Sequence, residues 1–403
     1  MKIHFLILFC LLFFTSSLWG QNFDENWTEH FSYLNIKKVV RADSKFYAAS
    51  ENALFFFDPL TNQLSTITTI NGLSGELIST LHYSSDYQLL LIGYENGLIE
   101  IYTESDQEIL KVVDIINKVT IPSSKKKINH FNELNSLVYI ATDYGISVYD
   151  LEGLEFGDSY YIGANGSQIQ VNQSAIFNNE IYAACSSNSG IKKADLANSN
   201  LTDFQLWSSL GAGNFKAVTV FGSGLYATNS TNTLFEINGT TLTNLFNYPQ
   251  PVAELNASNN TLLVTTDSKV YQYNAGFNLM NMYSTAPEFN TRFTTALKID
   301  AVVYIGTIDY GVIRPDPLSL AGFEEIHPKG PLKNSVFSLS YGYGNLWVSY
   351  GDYSIFFNPS PSRNYGVSNY VNERWFNTTY DSIQQASGTT ISNLNTISIN
   401  PLK

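Results

Sequence analysis

The chain has 403 residues with 35 acidic and 22 basic side chains, a formal net charge of −13. That balance excludes a surface built to replace counterions along duplex nucleic acid, which needs a basic field. At this length a core needs no disulfide support, and the two cysteines, Cys10 and Cys185, supply no framework.

Lys2 and His4 precede an apolar run from Phe5 to Phe14, followed by Thr15, Ser16 and Ser17 and a polar stretch that begins after Gly20. This reads as a secretory signal peptide over residues 1–20, too short for a full membrane crossing. Phe9 is too bulky for the small residue a lipoprotein signal places before its cysteine. Cys185, in Ile181-Tyr182-Ala183-Ala184-Cys185, reads as a small buried hydrophobe rather than a reactive thiol.

From there one phrase returns about every 43 residues: an apolar strand, a compact turn with Gly, Asn or Asp, and a second strand. Its clearest copies are Val138-Tyr139-Ile140-Ala141-Thr142-Asp143-Tyr144-Gly145-Ile146 and Val303-Tyr304-Ile305-Gly306-Thr307-Ile308-Asp309-Tyr310-Gly311-Val312. Aligned copies give anchors at Tyr47, Leu91, Tyr139, Tyr182, Tyr226, Leu263, Tyr304 and Trp347. Tyr, Phe, Ile, Val and Thr are abundant and no stretch after the leader sustains a helical stripe, so helix is expected to be scarce. The period predicts an all-β, seven-bladed β-propeller over 21–330, each repeat supplying an innermost strand, the anchor strand, a third strand and a less regular fourth. Residues 331–403 then begin a second propeller or continue the first, with eight blades the alternative. Glu373-Arg374-Trp375-Phe376 and the stretch 391–401 read as a further repeat starting. The small residues before the turns, Ala49, Gly93, Ala141, Ala184, Thr228, Thr265, Gly306 and Ser349, are expected to let neighbouring sheets approach. Gly97, Gly145, Gly190 and Gly311 are expected to shape turns that need positive φ.

Chemistry-bearing motifs are sparse. The histidines after the leader, His30, His82, His130 and His327, have no metal-ligand spacing, and no nucleophile elbow or phosphate-binding loop is present. No catalytic residue, cofactor or metal is therefore expected, and the protein reads as a non-enzyme. Asp143 and Asp309 sit at equivalent turns, where an Asp side chain hydrogen-bonds backbone; a glycan hydrolase using them is the weak alternative. Lys125-Lys126-Lys127 reads as a solvated loop, with an anionic glycan or headgroup contact as its alternative. Tyr94, Tyr144 and Tyr310 recur on or beside turns and are the candidate ligand or partner contacts, their rings offering apolar area and their hydroxyls a polar tip.

The stretch Trp27-Thr28-Glu29-His30-Phe31-Ser32-Tyr33, with the Tyr-Ala-Ala-Ser and Ile-Ala-Thr-Asp-Tyr-Gly-Ile repeats, resembles the propeller region of the PorZ family of type IX secretion components. The repeats are also similar to the propellers of two-component regulators. The first resemblance implies an exported accessory protein at the outer-membrane surface, acting in cargo signal removal and attachment beside PorU-like, PorV-like and PorQ-like partners, with anionic lipopolysaccharide as a ligand. PorU-like catalysis would need a Cys-His arrangement, which Cys185 and the four histidines do not supply. The second implies a periplasmic glycan sensor. PorZ-like proteins resemble two propellers followed by a terminal β-domain, so this chain is expected to be a fragment of a longer polypeptide.

Overall fold

Each repeat phrase becomes the two central strands of a four-stranded antiparallel meander. The computed structural model describes residues 28–389 apart from 259, 286, 317–321, 352, 355, 357 and 359–364. The signal-peptide segment and the 391–401 stretch fall outside the described residues. Residues 28–30, the described part of a short unit Met1–His30, form no regular element; the rest belongs to the unit Phe31–Lys403.

Among the described residues eight such sheets follow in chain order, each with its strands in sequential order. Their innermost strands are Lys38–Ala42, Ile78–Ser84, Ile128–Leu134, Val171–Phe177, Phe215–Phe221, Val252–Ser258, Phe293–Ile299 and Val336–Gly342. Among the described residues, helix is confined to Asp114–Asn117, Tyr380–Ser387 and single 3-10 turns, and no helix is long and apolar enough to cross a membrane. Arg374–Thr378, read from sequence as the start of another repeat, is instead the fourth strand of the eighth sheet, paired with Val367–Val371.

The central strands are buried on both faces, so they read as unbroken apolar runs: Phe46, Tyr47, Ala48 and Ala49 are all fully buried. Outer strands face solvent and lose that signature, as in Leu279–Ser284. The core is divided among the gaps between consecutive sheets. One cluster joins the first two sheets through Tyr47, Leu54, Leu81 and Ile92. Another joins the seventh to the first through Phe46, Phe55, Tyr304 and Val312. Innermost strands of consecutive sheets lie side by side from the first to the seventh, and that of the seventh also lies beside that of the first. There Ile36 N donates to Thr307 O at 2.8 Å.

Two of the small pre-turn residues, Gly93 and Gly306, have side chains of the neighbouring sheet packed directly on them. A Cβ on Gly93 would meet Ile128 Cγ2 at 2.7 Å, and one on Gly306 would meet Ile36 Cγ2 at 2.8 Å. Gly97, Gly145, Gly190 and Gly311 all have positive φ. At Gly145, with φ +148°, a Cβ would also meet the Tyr160 carbonyl oxygen at 2.2 Å.

A bulge recurs near the start of the inner strand in the second to eighth sheets. In the second to fifth sheets the extra residue turns its side chain toward the next sheet. Ser79 Oγ donates to Ile128 O at 2.6 Å, Asn129 Nδ2 to Val171 O at 2.8 Å, and Asn172 Nδ2 to Phe215 O at 2.7 Å. Lys216 Nζ reaches Val252 O at 3.4 Å. These bonds latch one inner strand to the next.

Candidate functional site: the polar channel between inner strands

The innermost strands of the first seven sheets line a cavity of about 460 Å³. Polar side chains near the start of these inner strands occupy a repeated register. Lys38 pairs across its hairpin with Ala49, His130 with Ala141, Gln173 with Ala184, Glu254 with Thr265 and Thr295 with Gly306. A small residue on the second strand thus stands beside a channel-level residue on the first.

Two networks join inner strands, the first at this level and the second further along the strands. The Lys38 ammonium bonds Glu254, which is 8% exposed and also accepts from Thr295 Oγ1 at 2.6 Å and from Ala296 N at 3.2 Å. Three sheets are joined through one carboxylate. Between the second and third sheets, Glu133 takes His82 Nε2 at 2.7 Å on one oxygen and the Ser84 hydroxyl at 2.7 Å on the other. Burial pushes the Glu133 carboxyl up, but the bonds from His82 and Ser84 outweigh it and hold the group below its usual range. His130 is held well below the ordinary imidazole value, by burial first and then by the charges of Lys38 and His82. Its Nδ1 is buried without a partner among the described residues.

The Ser84 hydroxyl lacks the arrangement of a triad nucleophile. In a nucleophilic triad the imidazole stands between hydroxyl and carboxylate; here both Ser84 and His82 address Glu133, so the hydroxyl is bonded to the carboxylate and not to the imidazole. Among the described residues no group of three or more His, Cys, Asp or Glu is placed to hold a metal ion. Cys185 is fully buried, its S–H directed at Ala183 O at 3.3 Å, and burial pushes the thiol up to about 12. It packs as the small hydrophobe its repeat position implies.

The tyrosines picked out from the turns do not converge on one surface. Tyr94 is 1% exposed in the gap between the first two sheets, and its hydroxyl bonds the buried Glu100. Tyr144 is fully buried between the second and third sheets, its hydroxyl 2.5 Å from Ser147 Oγ. Both rings are interior packing rather than an open rim. Tyr310 is half-buried, edge-on to Phe289 at 5.1 Å. Asp143 and Asp309 stand on the third and seventh sheets; the first accepts from Asn129 Nδ2 at 2.8 Å, the second from Thr291 Oγ1 at 3.0 Å and Lys333 at 3.2 Å. Of the basic run, Lys126 is buried and donates to Ile116 O, while Lys127 pairs with Glu95 at 3.2 Å.

The channel networks escaped the sequence reading, which weighed turns and not inner strands. The available signal was a charged or imidazole side chain at a fixed offset before the anchor in an otherwise apolar repeat, as at Lys38, His130 and Glu254.

Residues 46–208 match the family model described as the type IX secretion PorZ N-terminal β-propeller domain. No curated protein matches the chain. Among solved structures, PorZ of Porphyromonas gingivalis, described as an essential bacterial surface component of the type IX secretion system, is similar with a TM-score of 0.71 at 16% identity, over 89% of this chain and 47% of that one. The computationally designed protein Ika8 is similar at 0.51 and 13% identity, over 79% and 94%. Raptor of Chaetomium thermophilum is similar at 0.55 and 15% identity, over 70% and 28%. At these identities the likeness is one of fold. The chain spans about half the length of the PorZ structure it matches.

Proposed function

We propose, from the match of residues 46–208 to the PorZ N-terminal propeller family, that this protein is a nonenzymatic accessory component of a type IX secretion machinery at the cell surface. That match is the observation that carries the reading, and the likeness of fold across most of this chain supports it. In this reading the first seven sheets, within 21–330, close into a seven-bladed propeller. The side-by-side inner strands of the seventh and first sheets and the Ile36–Thr307 bond favour that closure. The eighth sheet, within 331–403, then opens a second propeller. Its packing residues, Leu332, Val348 and Tyr350, form a cluster apart from the seven inter-sheet clusters.

The scaffold role is supported by what the polar groups do. Glu254, Glu133, Asp143 and Asp309 are each tied to neighbouring strands or turns, and Cys185 is packed away. The role places the protein, exported and associated with the outer membrane, beside PorU-like, PorV-like and PorQ-like proteins, with anionic lipopolysaccharide as a ligand. Of the three tyrosines, Tyr310 keeps a place in the recognition surface; Tyr94 and Tyr144 support the sheets that carry it. The test is co-purification of the tagged protein from its host membranes. Recovery of PorU-like, PorV-like and PorQ-like proteins is the expected result, and their absence under conditions that recover other outer-membrane assemblies contradicts the reading.

A further inference from the structure

At four inter-sheet seams the bulged second residue of the inner strand, Ser79, Asn129, Asn172 or Lys216, bonds a carbonyl of the next inner strand. Where the seventh sheet meets the first, the same position is Thr294, and its Oγ1 is buried without a partner among the described residues. A cavity of about 340 Å³ lies there, lined by Asn35, Lys37, Arg292, Thr294, Asp309 and Lys333.

Its charge is not balanced. Lys37 stands 3.8 Å from Glu51, and Lys333 lies 3.2 Å from Asp309. Among the described residues the Arg292 guanidinium has neither ion pair nor hydrogen bond. Three cations thus meet two carboxylates, in a chain whose net charge is −13. Lys333 is set in place by its neighbours: Ser32 N donates to Asn334 Oδ1 at 2.7 Å and Ser32 Oγ to Leu332 O at 2.9 Å. Gly330 also lies so close that a Cβ there would meet Phe31 O at 2.0 Å.

We propose that this pocket binds an oxyanion, the phosphate or carboxylate group of a ligand. Arg292 offers a planar fork, Lys37 a second positive charge, and Thr294 a hydroxyl donor that finds no partner among the described residues. Lys333, already on Asp309, closes the far wall. The site stands apart from the accessory role, because nothing in it requires a secretion partner.

The experiment is calorimetric titration of the whole chain with inorganic phosphate, against chloride at equal ionic strength. Saturable phosphate binding is expected. Arg292→Gln should weaken it by roughly tenfold or more, Thr294→Val by a smaller factor, and Lys192→Gln, a cation on the fourth sheet bonded to Ser209, should leave it unchanged. Unaltered melting temperatures show that the variants fold. Absence of saturable binding by the unmodified protein overturns the proposal, as does equal affinity in Arg292→Gln. A parallel arm with phosphatidylcholine vesicles containing phosphatidylglycerol separates the sources: Arg292-dependent capture points to a lipid headgroup, and phosphate binding without capture to a soluble anion. No secretion component is present, so failure here leaves the accessory reading standing, and failure to recover secretion partners leaves the pocket standing.

Discussion

Lys38 and Glu254 form a nearly buried ion pair that also recruits Thr295. Removing one member leaves the other charge desolvated, which costs about 3–5 kcal/mol, whereas replacing both by apolar groups of similar volume costs far less. Lys38→Met should therefore destabilise more than Lys38→Met combined with Glu254→Leu, as read by urea denaturation of all three proteins; a double variant weaker than the single one would contradict it. His130 gives a pH dependence of known sign. Its folded-state value lies below the ordinary 6.5, so on acidification the unfolded chain takes up a proton that the folded chain refuses. Its contribution is intact above pH 6.5 and shrinks as pH falls from there toward the folded value. His130→Gln should flatten the fall of melting temperature between about pH 6.5 and 5, and an unchanged slope would show that His130 is not the group responsible. Glu133 acts lower: its contribution is present above the ordinary 4.5 and is lost as pH falls through its depressed folded value. At this scale sequence told what Cys185 does, because it occupies a repeat position held elsewhere by Ala, Gly or Thr. It misjudged Tyr94 and Tyr144, because recurrence beside a turn does not say which face of the strand a ring takes.

Gly93 and Gly306 belong to the scale of elements, since their missing side chains let one sheet approach the next. Gly93→Ala would force its Cβ against Ile128 Cγ2, and such overpacking costs about 1–3 kcal/mol. Ala49→Gly at the equivalent position adds no atom and should cost about 1 kcal/mol or less. Equal destabilisation by the two in thermal unfolding would show that the approach of the sheets is not what the glycine serves. The latches make a parallel case: Asn129→Ala removes a bond to the next inner strand and should lower stability by about 1 kcal/mol, more if the Val171 carbonyl is left buried and unpaired. The strand pair in each repeat was legible because central strands, covered on both faces, keep unbroken apolar runs. The bulges were not, since a residue extruded from a ladder has no periodic signature. Arg374–Thr378 was misread for a related reason. It is a mostly exposed outer strand, and such strands carry the weakest pattern of the four.

For the molecule as a whole, the repeat period foretold the number of sheets and the all-β class, because each four-stranded unit needs about the same length of chain and must cover its faces with neighbours. It could not say where one set of sheets ends, since the eighth phrase is spaced like the others. The eighth inner strand differs in exposure: its Leu339 and Tyr341 are 62% and 75% exposed, while Phe131 and Ala296 on the third and seventh are buried. The accessory role is tested most directly by deleting the gene in its host and following secreted cargo by immunoblot and surface labelling, with the intact gene restored as control. The account predicts cargo that keeps its C-terminal signal and fails to attach to the cell surface, with both defects reversed on restoration. Cargo that is cleaved and attached normally in the deletion strain would contradict it.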